Sequence, residues 1–405
     1  MLNKNLVLKI FEAFSIERWN DLVRPFEIIE MDKDAEKMVL AYILGKFEEA
    51  NGKKINWKWL IYASLFDLLR KIALCDIKAP VQALLKSEYP DEYMRLNEWV
   101  LNQYKPFIDK KLFSEFTIYM GQKAGTIPLS PEDELTCHVY CAAHKYSTMR
   151  ELEMIKGVNE YIRLQKIESE LNLEMQKYLD LKGLQQIICK QRPYEFILKI
   201  EQLRFQRRWN QTPRVPNTSV LGHSYFVAVI TLLLEREIDI KMCDKRIFNN
   251  FFSALFHDLP EAVTRDIISP VKQATDELPQ IVKHIEDEIV AKELVPLMEP
   301  FYTDELMYFT SDEFENRINY NGIVKVVNFD ELNMKYNENS FSPVDGKLVR
   351  LSDHLSALLE ADSSIKHGIT SKHLESGRDN TLKIYSEQMD INGINAAALF
   401  SNFVN

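Results

Sequence analysis

The sequence predicts an all-α fold, and three observations carry that expectation. Apolar residues recur at helical spacing, as in Leu2, Leu6, Ile10 and Phe14, which share one helix face. Glycine is scarce, 12 of 405 residues, under half of an ordinary share of about 7%. Tight hairpins and phosphate-cradling loops draw on glycine for positive φ and close backbone approach. No segment alternates apolar and polar residues convincingly enough to read as a strand. In chain order, residues 149–186 are rich in Glu, Lys, Leu and Gln and lack proline, which predicts a pair of long connecting helices. Residues 246–258 and 281–295 read as amphipathic helices, the second stopped near Pro296. Loops are marked by Pro213, Pro216, Pro270 and the polar stretch 337–346.

Composition narrows the function classes. The chain carries 60 acidic and 50 basic residues, a net charge of −10, which disfavours a nucleic-acid polymer as partner. Neither GxGxxG nor GxxxxGK[ST] occurs, so the two commonest nucleotide fingerprints are absent. Five scattered cysteines suit a reducing compartment better than a disulfide scaffold. The N-terminal stretch is broken by Lys9 and Glu12 and reads as a helix rather than a signal peptide. The run Tyr225 to Leu234 is about half the length of a membrane span. The expectation is a cytoplasmic protein without a membrane partner.

An internal repeat divides the chain. ERWND at 17–21 meets RRWNQ at 207–211 at an offset of 190 residues. At that offset Leu65–Phe66 meets Leu255–Phe256, Asp76–Ile77 meets Asp266–Ile267, and Pro80–Val81 meets Pro270–Val271. Farther on the offset reads as 210, pairing His144 with His354 and Ile155–Lys156 with Ile365–Lys366. The reading is a duplication, with units 1–190 and 191–405 and an insertion near 301–345 in the second.

The second unit carries the chemistry. His223 opens a long apolar stretch, the adjacent His257–Asp258 closes another, and Asp353 lies in an amphipathic segment. Imidazole and carboxylate together suit one divalent transition metal such as Mn, Co, Fe or Zn. Three helices offering ligands from one bundle face can build such a site. Plainer roles exist: His257 as a helix C-terminal histidine, Asp353 as a cap or surface residue. The order H…HD…D resembles the HD-domain metal-dependent phosphohydrolase superfamily. HDLPEAVTRDIISPVK at 257–272, preceded by Arg208–Trp209, is most similar to its bacterial 5′-deoxynucleotidase branch. The resemblance implies His223, His257, Asp258 and Asp353 as metal ligands. It also implies Glu261 and Asp266 as catalytic residues, and Arg208 and Trp209 as substrate-binding residues. Glu261 lies about one helical turn beyond His257, so it can face the same site. Leu259–Pro260 and Arg265 depart from the small or polar residues and the glycine that the branch usually carries there.

The activity so implied is release of phosphate from a nucleoside 5′-monophosphate or a similar small phosphomonoester. Hydrolysis of nucleoside triphosphates or guanosine alarmones is a second reading, and a non-catalytic metal-containing helical scaffold is a third. In the first unit the ligand positions hold Lys33, Asp67, Leu68 and Ala143, and Lys71 replaces Glu261. No metal constellation survives there. That unit is expected to pack against the active one as an internal pseudo-dimer, giving a monomer, or else to keep an anion pocket for regulation. Cys137, Cys141 and His144 share a helix face but match no trusted zinc spacing, and read as core.

Overall fold

The structure, a computed structural model, describes residues 2–265, 275–387 and 390–404. Helices dominate it from Lys4 to Val404, and the all-α expectation holds. Two of the helices are central. Every residue of Val220–Glu235 is buried, as expected of a helix that is apolar all round. Helix Glu30–Ala50 is buried along nearly its whole length although it carries Glu30, Asp32, Lys33, Asp34, Glu36 and Lys37. Those charges need partners, because an unpaired buried charge is costly.

The two central helices meet near their N-termini. Ser219 caps Val220–Glu235 by accepting the Gly222 N–H at 2.8 Å, and its hydroxyl donates to Asp32. A Cβ on Gly222 would stand 2.5 Å from Asp32 Oδ1, so glycine permits this approach. Farther along, Tyr225 Oη lies 2.5 Å from Ser64 Oγ, and the buried Arg204 donates to Glu36 at 2.6 Å. One continuous apolar core runs through both units, from Leu2 and Phe11 to Phe226, Phe252 and Phe403.

Burial lifts the Asp32 carboxyl to about 6, against the opposing pull of Arg204 and the Ser219 bond. The folded chain therefore holds this proton to higher pH than the unfolded one. Stability from this group falls as pH rises from about 4 to about 6 and is level beyond. We expect Asp32→Asn, which still accepts from Ser219, to match wild type in Tm near the low end of that window. Above it the variant should gain over wild type. A Tm difference that stays constant across a calorimetric pH series would refute this.

Local geometry recurs between the units. Glu17 bridges Ile29, and Arg207 bridges Ser219. Trp19 and Trp209 both take φ of 56°, an uncommon conformation for a bulky side chain. Arg18 and Trp19 donate to Glu151, as Arg208 and Trp209 donate to Glu360. Lys33 donates to Ser147, and His223 pairs with Ser356. These contacts set Glu151 against Glu360 and Ser147 against Ser356, an offset of 209 rather than 210. His144, not Ala143, thus occupies the place of Asp353.

Other expectations shift as well. The 149–186 stretch is not two long helices; Pro131–Lys156 enters it, followed by Tyr161–Met175 and Lys182–Ile188. Within 301–345, β1 (Asn316–Tyr320) and β2 (Ile323–Val326) form an antiparallel hairpin, and β3 (Val344–Asp345) pairs with the other edge of β1. The turn is Asn321–Gly322, both at positive φ, an Asn-Gly hairpin signal that the scarcity of glycine overshadowed. β4 (Asp390–Ile391) and β5 (Ile394–Asn395) form a second short pair. Among the described residues, no helix is long and apolar enough to cross a membrane.

Candidate metal centre

Three helices converge on one point. His223 sits in the first turn of Val220–Glu235, His257 follows the last turn of Asp244–Phe256, and Asp353 lies in Gly346–Lys366. One ligand atom from each lies within 4.8 Å of the others. His223 Nε2 is 3.0 Å from Asp353 Oδ1. The two imidazole rings are 5.6 Å apart between centroids. His257 Nδ1 is 2.7 Å from the Ala254 carbonyl, which accepts only, so the proton sits on Nδ1 and Nε2 faces inward. That Nε2 lies 3.2 Å from Asp258 Oδ2, an atom that is buried without a hydrogen-bond partner.

This donor set fits a divalent ion. Two imidazole Nε2 atoms and carboxylates converging on one point are the ligands that Zn, Mn, Fe and Co accept. The orphaned Asp258 oxygen is what a missing cation would leave. The structure thus gathers His223, His257 and Asp353, with Asp258 against the second imidazole.

Arg208 borders the cluster. Its Nε donates to Glu360 at 3.2 Å, while Nη1 is 3.8 Å from Asp258 Oδ2 and Nη2 is 4.0 Å from Asp353 Oδ1. Burial works against the Arg208 charge, but Glu360, Asp353, Asp258 and Glu261 together hold its pKa above the ordinary range. Burial also works against the Asp353 carboxylate, yet His223, His257 and Arg208 hold its pKa below the ordinary carboxylate range. On His223, burial and Arg208 oppose protonation, while the bonds to Asp353 and Glu360 outweigh them and raise its pKa.

Glu261 opens the short helix Glu261–Thr264 just after Pro260. Gln206 donates to the Glu261 carbonyl at 2.9 Å, tying that turn to the segment carrying Arg208. Trp209 donates its indole N–H to Glu360 at 2.9 Å. Its ring edge fills the notch at Gly377, where a Cβ would lie 2.4 Å from the ring. Asp266 and the Pro270–Val271–Lys272 string lie outside the described residues.

Two features escaped the reading of the sequence. Glu360 is fully buried and contacts Arg208, Trp209, Thr218 and His223. Phe314, from the 301–345 segment, lies 6.1 Å from the His257 ring, and the Arg350 guanidinium covers it at 5.5 Å. Glu360 had a readable signal, an acidic residue in both units, which the one-residue register slip concealed. Phe314 had none.

The first unit builds a different centre on the same frame. Lys33 Nζ donates to the His144 carbonyl at 2.6 Å and to Thr148 Oγ1 at 2.9 Å. Lys71 bonds Glu30 and Asp34. Arg18 donates to Glu30 at 2.7 Å as well as to Glu151. Ammonium groups and ion pairs fill this centre.

No curated protein matches the chain. A family model described as HD domain matches residues 200–381. That span encloses Arg208, His223, the His257–Asp258 pair, Asp353 and Glu360, and this part of the chain is similar to HD domains.

Proposed function

We propose that the protein is a metal-dependent phosphohydrolase that releases phosphate from a nucleoside 5′-monophosphate or a similar small phosphomonoester. The observation that carries this reading is the buried convergence of His223, His257 and Asp353 beside the Arg208 guanidinium. His223, His257, Asp258 and Asp353 would hold the metal. A bound divalent ion supplies electrophilic stabilisation of a phosphoryl group and lowers the pKa of a water molecule. Arg208, anchored through Nε by Glu360, keeps Nη1 and Nη2 on the ligand side, where its planar fork suits phosphate oxygens. Trp209 braces Arg208 through their shared carboxylate. Phe314 walls the His257 side. Glu261, on the turn after the His–Asp pair, takes or returns the proton of the attacking water or leaving alkoxide. Asp266 is assigned to hydrogen-bond a sugar hydroxyl.

Phosphate release from a nucleotide panel with Mn, Co, Mg and Zn tests the reading. Turnover of 5′-monophosphates is expected. Cleavage confined to triphosphates or alarmones would replace it with the second reading. Glu261→Gln should keep its metal and lose turnover by roughly 10²–10⁴-fold. Undiminished turnover in that variant would remove Glu261 from the chemistry.

We further propose that residues 1–190 are a degenerate copy kept for packing. The repeated Glu–Arg–Trp contacts support common descent. The carboxylates that pair Arg18 and Lys71 favour packing over an anion pocket.

A further inference from the structure

We propose that Glu360 is a positioning residue that couples the metal ligand His223 to Arg208 and Trp209. The inference rests on the metal-site reading above. Its Oε1 accepts from Thr218 Oγ1 at 2.9 Å and lies 3.3 Å from His223 Nδ1. Its Oε2 accepts from Arg208 Nε at 3.2 Å and from Trp209 Nε1 at 2.9 Å. The side chain is fully buried, so no water competes for these bonds.

The chemistry follows from which atoms can accept. A carboxylate only accepts, so Glu360 Oε1, which shares the Nδ1 edge of His223 with the Ser356 hydroxyl, favours a proton there and frees Nε2, which faces Asp353 at 3.0 Å, for a cation. Such outer partners orient metal-bound imidazoles and raise their basicity. The same carboxylate fixes the long axis of the Arg208 guanidinium. One group thereby links the orientation of the His223 ring to the position of the Arg208 guanidinium. Glu151 provides the internal comparison. It too accepts from Arg18 and Trp19, but Lys33 stands where His223 does, and no metal-ligand cluster lies there among the described residues.

The test uses full-length protein, freed of metal and titrated with Co²⁺. Visible absorption reads the affinity, and ¹H–¹⁵N spectra of the Zn²⁺-loaded, histidine-labelled protein read the His223 Nδ1–H. In E360Q the amide oxygen can still serve Arg208 and Trp209, so the amide N–H₂ turns toward Nδ1 and disfavours its proton. We expect Co²⁺ affinity to fall by roughly 10–100-fold, with the Nδ1–H signal of the Zn²⁺-loaded protein shifted or lost. E151Q should leave Co²⁺ affinity at the wild-type value, which a general loss of stability would not do. Thr218→Val, which removes the bond that holds Oε1 in place beside His223, should lower affinity by a smaller factor and provides the same reading if E360Q does not fold. Wild-type affinity in folded E360Q, or in Thr218→Val where E360Q fails to fold, would overturn the proposal, as would an unchanged Nδ1–H signal. Failure of the wild-type protein to bind Co²⁺ would overturn it together with the metal site. A wild-type protein that binds Co²⁺ yet cleaves no phosphoester, with E360Q still shifted, would refute only the proposed activity.

Discussion

His257→Ala and Asp258→Ala are each expected to abolish stoichiometric metal binding and reduce phosphate release to background. Losing an outer partner of a ligand already costs roughly 10–100-fold in affinity, so losing a ligand should cost more. The geometry explains why neighbours cannot compensate. His257 supplies Nε2 from a ring pinned at 2.7 Å to the Ala254 carbonyl, and the other imidazole, His223, is already committed to Asp353. Asp258→Ala also takes a carboxylate from beside Arg208, which leaves the guanidinium to repel the cation. Metal analysis of purified protein should give about one ion per chain in wild type and little in either variant. Asp67→Ala, at the matching position of the first unit, should leave metal content unchanged. Equal metal in wild type and both ligand variants would remove the centre.

The largest stability effect is expected at a second buried cluster, built around Arg246 and Asp345. Arg246 and Asp345 are both fully buried and form two bonds of 2.7 Å each. Asn250 donates to Asp345 at 2.8 Å and Asn392 at 3.0 Å, and Asn333 accepts from Arg246 at 2.9 Å. Arg246 lies on the helix that leads to His257, and Asp345 precedes the helix that carries Asp353. The pair therefore locks two ligand-bearing helices together. Asp345→Ala leaves a guanidinium buried and unpaired, which costs about 3–5 kcal/mol. Most domains have only about 5–15 kcal/mol to lose. Replacing both partners by apolar residues, as in Arg246→Met with Asp345→Leu, should recover much of that loss. Denaturant unfolding measures both variants. A loss below about 1 kcal/mol in Asp345→Ala would show that the surrounding amides satisfy Arg246 alone.

Much of the site was legible because its residue types are rare in such surroundings. His223 and the His257–Asp258 pair interrupt or end apolar runs, where an uncommitted polar group would be costly. Their order matched a known superfamily, and the match over 200–381 agrees. Asp353 was legible only through that order, since its own segment reads like any amphipathic helix. Glu360 was hidden for the same reason. A glutamate in LLEADSS looks like a solvent-facing residue until the chain folds and surrounds it with donors.

The sequence by itself determined the helical class and the candidate ligand types of the second unit, and it set lysine and leucine at matching positions of the first. Periodicity, scarce glycine and residue chemistry are local properties, and they survive without knowledge of the neighbours. Only the tertiary structure decided the register of the repeat and the roles that depend on it. Identities at 144, 155 and 156 favour an offset of 210, whereas the bonds of Glu151 and Glu360 require 209. A slip of one residue rotates a helix face by about 100°, which changes every partner. Composition is blind to such a rotation. Hydrogen bonds, which demand a donor and an acceptor within about 3 Å, are not.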